Sequence, residues 1–244
     1  MNRFVFVVPY YNEINDIEKT LFSMLSQSYG NWRAILINDL STDGSDRVVR
    51  NTVNSLSTKG KFTLVDTHEK YGEVRNTLTA LERIDDDEIV CRLDGGDWLV
   101  ENDLLWLLNE AYKDKDLAVA WTSHRWGYTN QNISGPMTLQ KDQTVYQHPW
   151  VSSHLKTFRA ERLRVVPKKN FFTDDGEWIM IACDQAIFLP MMHKSLLDSK
   201  RLLYVPIVGY HYNINLADKQ LFTSTRALNQ KVSAEMIRKR GFVE

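Results

Sequence analysis

A chain of 244 residues with 43% hydrophobic content has material for a sizeable core, as one large α/β domain or two small ones. Its formal net charge of -1 removes any global attraction to a polyanion and leaves only a local basic patch as a route to one. Two cysteines, Cys91 and Cys183, each set among apolar residues, argue against a disulfide framework or a zinc site and suit a reducing cytoplasm.

The opening run MNRFVFVVPYYNE ends at Pro9 with no cleavage pattern, and reads as a first strand, Phe4 to Val8, rather than a signal peptide. Ile17, Leu21, Met24 and Leu25 then recur as one face of a helix. Trp32 to Ile37 reads as a second strand, and the turn-rich NDLSTDGSD opens a helix carrying Val48, Val49, Val53 and Leu56. Phe62 to Val65 is the third strand, Val74, Leu78 and Leu81 mark a third helix, and Ile89 to Leu93 is the fourth strand. This βαβα rhythm predicts a parallel sheet covered by helices.

Beyond Leu99 the pattern predicts a helix from about Asp103 to Tyr112 and a strand from Leu117 to Thr122. The aromatic, loop-rich stretch from Trp126 to Trp150 reads as a binding surface or flap. Helices around Leu155 to Leu163 and Asp184 to Leu197, a strand from Leu202 to Val208 and a helix from about Leu216 to Lys239 complete the chain. With no flexible linker between them, the two halves are expected to share one sheet. No apolar run approaches the roughly 20 residues that span a bilayer, so any membrane contact is expected to be peripheral.

Carboxylates gather where strands end: Glu13 after the first, Asp39 and Asp43 after the second, Asp94 and Asp97 in RLDGGDWL after the fourth. A carboxylate at a strand end is costly to desolvate unless it meets a cation or donor. Ser41, Thr42 and Asp43 are explained equally well as helix caps. Asp39 and Asp94 precede their turns, and acids in that position accept from ribose hydroxyls or a base N–H. The edge therefore suits a nucleotide. No spaced G-x-G-x-x-G follows the first strand, which argues against a dehydrogenase.

These motifs together resemble the family 2 glycosyltransferases of the GT-A fold. VVPYYNE is similar to their P-x-Y-N-E, ILINDLSTDGS to their VDDGSTDGS, YGEVRN to G-x-x-x-R-N, and RLDGGDWL to LDxDDWL. The resemblance implies an α/β fold in which a Rossmann-like nucleotide-binding half, residues 1–99, continues into a smaller acceptor-binding and catalytic half, residues 100–244, on a mostly parallel mixed sheet. It implies a nucleotide-sugar donor, a UDP-sugar foremost, with its base beside Pro9, Tyr11, Glu13 and Asp39. The diphosphate then lies near Arg75 and a divalent metal, Mn2+ or Mg2+. Gly96 stands where the family carries its central acid, which leaves Asp94 for the sugar or ribose and Asp97 for the metal.

An inverting transfer also needs a base for the acceptor hydroxyl's proton. ACDQAIFLPMM resembles the family's late ED helix, with Cys183 in place of the Glu and Asp184 as the base; capping of that helix is the alternative, and Asp174 and Asp175 are competitors. His211 falls where some members touch metal or diphosphate, and Trp98, beside the carboxylates, is placed to stack on a substrate. His148 and His154 are expected to shape the acceptor cleft. The run HLKTFRAERLRVVPKK carries six Lys or Arg against one Glu: a solvated helix face, or a phosphate-contacting patch for a lipid-linked acceptor or nucleic acid. The expected activity is a metal-dependent hexosyl or pentosyl transfer to a surface glycan or lipid-linked saccharide. The alternatives are a phage-type enzyme glycosylating hydroxymethylated DNA bases, an inactive nucleotide-sugar binder and a nucleotidyltransferase.

Overall fold

The computed structural model describes residues 1–55, 60–127, 129–213 and 225–244. Strand β1 (Phe4–Tyr10) leads into α1 (Ile17–Leu25), β2 (Trp32–Asn38), α2 (Ser45–Ser55), β3 (Phe62–Asp66), α3 (Gly72–Leu81) and β4 (Ile89–Arg92). The second half comprises β5 (Trp98–Leu99), α4 (Leu104–Ala111), β6 (Leu117–Trp126), β7 (Lys156–Arg159), α5 (Ala160–Arg164), α6 (Cys183–Leu197), β8 (Arg201–Tyr212) and α7 (Thr225–Arg240).

All seven residues of β1 are buried, because both faces of the sheet are covered. The two-residue period divides them: Val5 and Val7 join Ile35, Ile37 and Val90 in one core, whereas Phe4, Phe6, Val8 and Tyr10 join Ala34, Leu36 and Cys91 in the other. Helices α3 and α6 close the first core through Val74, Leu81, Ala186 and Leu189, and α1 and α4 close the second through Ile17, Leu21, Leu104 and Leu108. Each such aliphatic or aromatic side chain contributes about 1.5–3 kcal/mol when fully buried.

The sheet runs β3-β2-β1-β4-β7-β6-β8-β5, one continuous eight-stranded surface through both halves. Strands β3, β2, β1 and β4 are parallel, β7 is antiparallel between β4 and β6, and β6 and β8 are parallel. This is the mostly parallel mixed α/β sheet expected from the sequence. The chain leaves β1 toward β2 on one side and returns to β4 on the other. The crevice at the carboxyl ends of these strands is a topological switch point, where open α/β sheets bind ligands.

The expected helix over Leu155 to Leu163 is half strand: β7 occupies 156–159 and only Ala160–Arg164 is helical. Its register is set by distant partners, with Phe158 opposite Val90 on β4 and Val119 on β6. The basic run is only partly a solvated face: Lys168 and Lys169 are exposed, but the other four are engaged within the molecule. Lys156 and Arg159 are buried, Arg159 donating to the carbonyls of Leu117, Tyr112 and Asp114, while Arg162 pairs with Asp198 and Arg164 with Asp86. Strand β6 extends past Thr122 to Trp126 and β8 past Val208 to Tyr212, carried on by mutual pairing. The expected start of the last helix, Leu216 to Ser224, lies outside the described residues, as does Tyr128. Beyond Trp126, where β6 ends, the stretch to Trp150 has no regular element among its described residues but is anchored: Val145 and Tyr146 enter the core, and Trp121 donates to the Gly135 carbonyl. Both cysteines are buried free thiols.

Candidate functional site

The end of β1 is held by the loop that follows β2. Glu13 N–H donates to Ser45 Oγ at 2.7 Å, Ile14 N–H to Asp43 Oδ2 at 3.0 Å, and Thr42 N–H to Asn12 Oδ1 at 2.8 Å. Asp43 Oδ1 also accepts from Ser45 N–H at the start of α2, so the capping explanation holds for this residue. Asp39, 4% exposed, does a related task at long range. Its carboxylate accepts from the N–H groups of Tyr71 and Gly72 at 2.8 and 3.0 Å, where α3 begins without a cap of its own. Thr67 Oγ1 and Lys70 Nζ complete its shell at 3.3 Å each, and Lys70 lies 3.0 Å above the Tyr11 ring.

The two glycines of RLDGGDWL have separate reasons. A Cβ on Gly95 would come within 3.0 Å of Tyr10 Cα, so the loop after β4 passes against the end of β1 only because the side chain is missing. Gly96 has φ +96°, and a Cβ there would meet the Glu13 carboxyl, with Cδ at 2.8 Å. Beside them Asp97, 6% exposed, accepts from the Tyr210 hydroxyl at 2.5 Å and from Asn213 N–H at 2.8 Å. Burial and the nearby Asp94 raise its pKa well above the carboxylate range. Asp94 accepts from buried Arg92 at 2.6 Å, and the same guanidinium reaches Glu73 at 3.2 Å. Glu73 is open to the cleft yet surrounded by protein, and that enclosure together with Asp94 pushes its pKa up to about 7.

Across this cluster stands the start of α6. Lys156 Nζ lies 2.5 Å from Asp184 Oδ1, an ion pair rather than an aligned hydrogen bond. Burial alone would raise the Asp184 pKa, but the charge of Lys156 overrides it and holds the carboxyl well below the usual range. His154 links the acids, its Nε2 3.8 Å from Asp184 and its Nδ1 4.0 Å from Asp94. Its ring is stacked between Tyr210 and Tyr212, at 4.6 and 5.2 Å. Burial, aided by Lys156, lowers its pKa to about 4, so the ring is neutral.

A cleft of 460 Å³ opens at this edge, within the roughly 300–1,000 Å³ usual for small-molecule sites. Of the residues expected from the sequence, Pro9, Tyr11, Glu13, Asp39, Asp94 and Asp97 line it. Arg75 stands outside that lining, 3.6 Å over the Tyr71 ring and bound to Glu69 at 2.6 Å. Trp98 and His211 face each other where β5 pairs with β8, stacked at 4.1 Å, with His211 Nδ1 accepting from Arg125 Nε. Asp184 reaches the cluster through His154. Sequence reasoning missed Lys70, Glu73, Asn76, Met180, Tyr212 and Asn213, which also line the cleft. Only Glu73 and Asn76 left a trace, as polar residues one turn apart on α3, the second in step with its buried Thr77 and Ala80.

The family described as Glycosyl transferase family 2 matches residues 5–186. Among solved structures, a Pyrobaculum calidifontis mannosyltransferase, PcManGT, in complex with GDP-Man and Mn2+ superposes with a TM-score of 0.71 at 19% identity, over 99% of this chain and 65% of that one. S. aureus TarS 1–349 in complex with UDP gives a TM-score of 0.66 at 17% identity, covering 94% of this chain and 75% of that one. Against a longer TarS chain the coverage of that chain is 41%. GalNAc-T7 with UDP, GalNAc and Mn2+ gives a TM-score of 0.64 at 15% identity, over 88% of this chain and 44% of that one. No curated protein matches by sequence. At these identities the structures establish the GT-A fold. With the family match extending from β1 into α6, the chain belongs to glycosyl transferase family 2.

Proposed function

We propose that this protein transfers a hexosyl or pentosyl group from a nucleoside diphosphate sugar, a UDP-sugar foremost, to an acceptor hydroxyl with inversion. The observation that carries the reading is the convergence of Pro9, Tyr11, Glu13, Asp39, Asp94 and Asp97 on one cleft at the switch point of the sheet. Structural neighbours solved with UDP and GDP-Man support it. The base stacks at Tyr11 and Lys70, and Asp94 and Glu73 face the ribose or sugar. The acceptor oxygen attacks the anomeric carbon as its bond to the diphosphate breaks, and its proton passes to Asp184. Lys156 keeps that carboxylate ionised before the acceptor arrives. A weak base suffices because the acceptor oxygen becomes acidic as its bond to carbon forms.

A divalent cation, Mn2+ or Mg2+, fits the cleft. The donors are hard oxygens, and the space a Cβ at Gly96 would fill is taken by the Glu13 carboxyl. Among the described residues no three His, Cys, Asp or Glu side chains group closely enough to cage an ion, so diphosphate and water would complete the shell held by Asp97 and Glu13. Bound there, the ion would offset charge on the leaving diphosphate. His211, the other metal ligand expected from the sequence, is not among the residues that line the cleft and receives no metal role in this reading.

The acceptor we favour is a glycan or lipid-linked saccharide. Lys156, Arg159, Arg162 and Arg164 of the basic run are engaged within the molecule and offer no phosphate contact to a lipid-linked acceptor or to modified DNA, which stays the alternative. No helix among the described residues is long and apolar enough to cross a membrane. We place the reaction in the cytoplasm on the strength of the two unbridged thiols. A nucleoside diphosphate release assay over UDP- and GDP-sugars with these acceptors tests the reading. Release of UDP, reduced roughly 10²–10⁴-fold in Asp184→Asn with donor affinity unchanged, is expected. Pyrophosphate release, or donor binding without turnover, would overturn it.

A further inference from the structure

Asn76 is 1% exposed, and among the described residues neither its amide nitrogen nor its amide oxygen has a hydrogen-bond partner. It lines the cleft nonetheless, on the same side of α3 as Glu73 one turn earlier. A buried amide with both functions unmatched is destabilising, and it calls for a partner from outside the chain, a ligand or a water. The partner must both give and accept a hydrogen bond. A phosphate oxygen only accepts, and the carboxylates of Glu73 and Asp94 repel it. In the reading above, the nucleobase end of the cleft is at Tyr11, Lys70 and Asp39, which line it together. A neutral hydroxyl meets the requirement and enters a carboxylate-lined wall without ionic cost.

Resting on the nucleotide-sugar reading above, we propose that Asn76 is a specificity-determining residue that grips a ring hydroxyl of the donor, with Glu73 taking the adjacent hydroxyl. The ring is the ribose or the transferred sugar, which share this diol chemistry. Titration calorimetry of the full chain in Mn2+ buffer separates them, using UDP, 2′-deoxy-UDP, 3′-deoxy-UDP, UDP-glucose and UDP-GlcNAc. Asn76→Leu is expected to raise the Tm of the free protein, by removing the unmatched amide, while weakening ligand binding roughly 10- to 100-fold.

Equal loss for UDP and the UDP-sugars assigns the ribose, and then one deoxy-UDP binds the wild type more weakly than UDP but Asn76→Leu no differently. Loss confined to the UDP-sugars assigns the sugar. Affinities unchanged by Asn76→Leu, or a lowered Tm indicating an internal water as the amide's partner, overturn the inference. If Asn76→Leu does not fold, Asn76→Ala is read by the same coupling to deoxygenation. Failure of the wild type to bind any of these nucleotides, or GDP-mannose, instead overturns the nucleotide-sugar reading itself.

Discussion

The two sides of the cleft keep their acids in different ways. On the side we assign to the donor, Asp39 and Asp43 are held by backbone N–H groups from neighbouring turns, while Asp94 there meets the buried guanidinium of Arg92. On the acceptor side Asp184 is held by a buried ammonium and stands beside a neutral imidazole. Backbone donors are part of the fold and lose little when one carboxylate is removed. A buried charge stripped of its partner is left uncompensated, so loss of a cation such as Lys156, or of Arg92 on the other side, should do more damage than loss of Asp39 or Asp43.

The largest effect is expected from Lys156→Met. It strands Asp184 and should lower stability by about 3 kcal/mol in urea unfolding, with Asp184→Asn in the same chain restoring much of the loss. In the single variant the acid limb of kcat/KM should move to higher pH, since burial, unopposed, raises the Asp184 pKa. An unmoved limb would remove Lys156 from control of the base.

The next test is pH itself. His154 and His124 are lowered by burial to about 4 and about 3, so both are neutral in the fold and protonated in the unfolded chain below about pH 6.5. At these two groups the unfolded state then binds more protons, and their contribution to stability falls with acidification by up to about 1.4 kcal/mol per pH unit each. Glu73 and Asp97, whose pKa values the fold raises, contribute in the opposite direction. His154→Gln removes one of the histidine contributions, so between pH 6 and 5 its stability relative to the wild type should improve with acidification; a constant difference would mean that His154 is charged in the fold.

Smaller effects are expected on the donor side. Gly95→Ala drives a methyl against the Tyr10 backbone and should cost about 1–3 kcal/mol, whereas Gly30→Ala, with nothing within 4 Å, is the neutral control in the same melts. Asp39→Ala removes the remote cap of α3 and should cost about 1 kcal/mol. Asp39→Ala as damaging as Lys156→Met would abolish the contrast between the two sides.

The first four strands were legible because each is short, apolar and punctuated, and because helices covering both faces demand such strands. Strand β7 was not. Lys156, Thr157, Phe158 and Arg159 lie in a stretch whose local pattern favours a helix, and the slot between β4 and β6 that makes them a strand is formed by residues about 40 to 70 positions away. The acids at strand ends were visible as types, but Asp39's donors come from Tyr71 and Gly72, which no local pattern connects to it. Glu73 and Asn76 sat inside a quoted motif and were passed over, because a helix pattern shows which side is buried and not that a cleft opens beneath it.

The standoff between Gly96 and Glu13 sets a rule for mutational history. Replacing Gly96 with aspartate adds a side chain at φ +96° against the far end of Glu13, so reinstating the familiar acid strains the backbone and requires the Glu13 carboxyl to swing aside. Shortening Glu13 first opens the space. The family pattern carries an acid at both places, so in this chain the two positions form an epistatic pair: the effect of an acid at 96 depends on where the Glu13 carboxyl is turned.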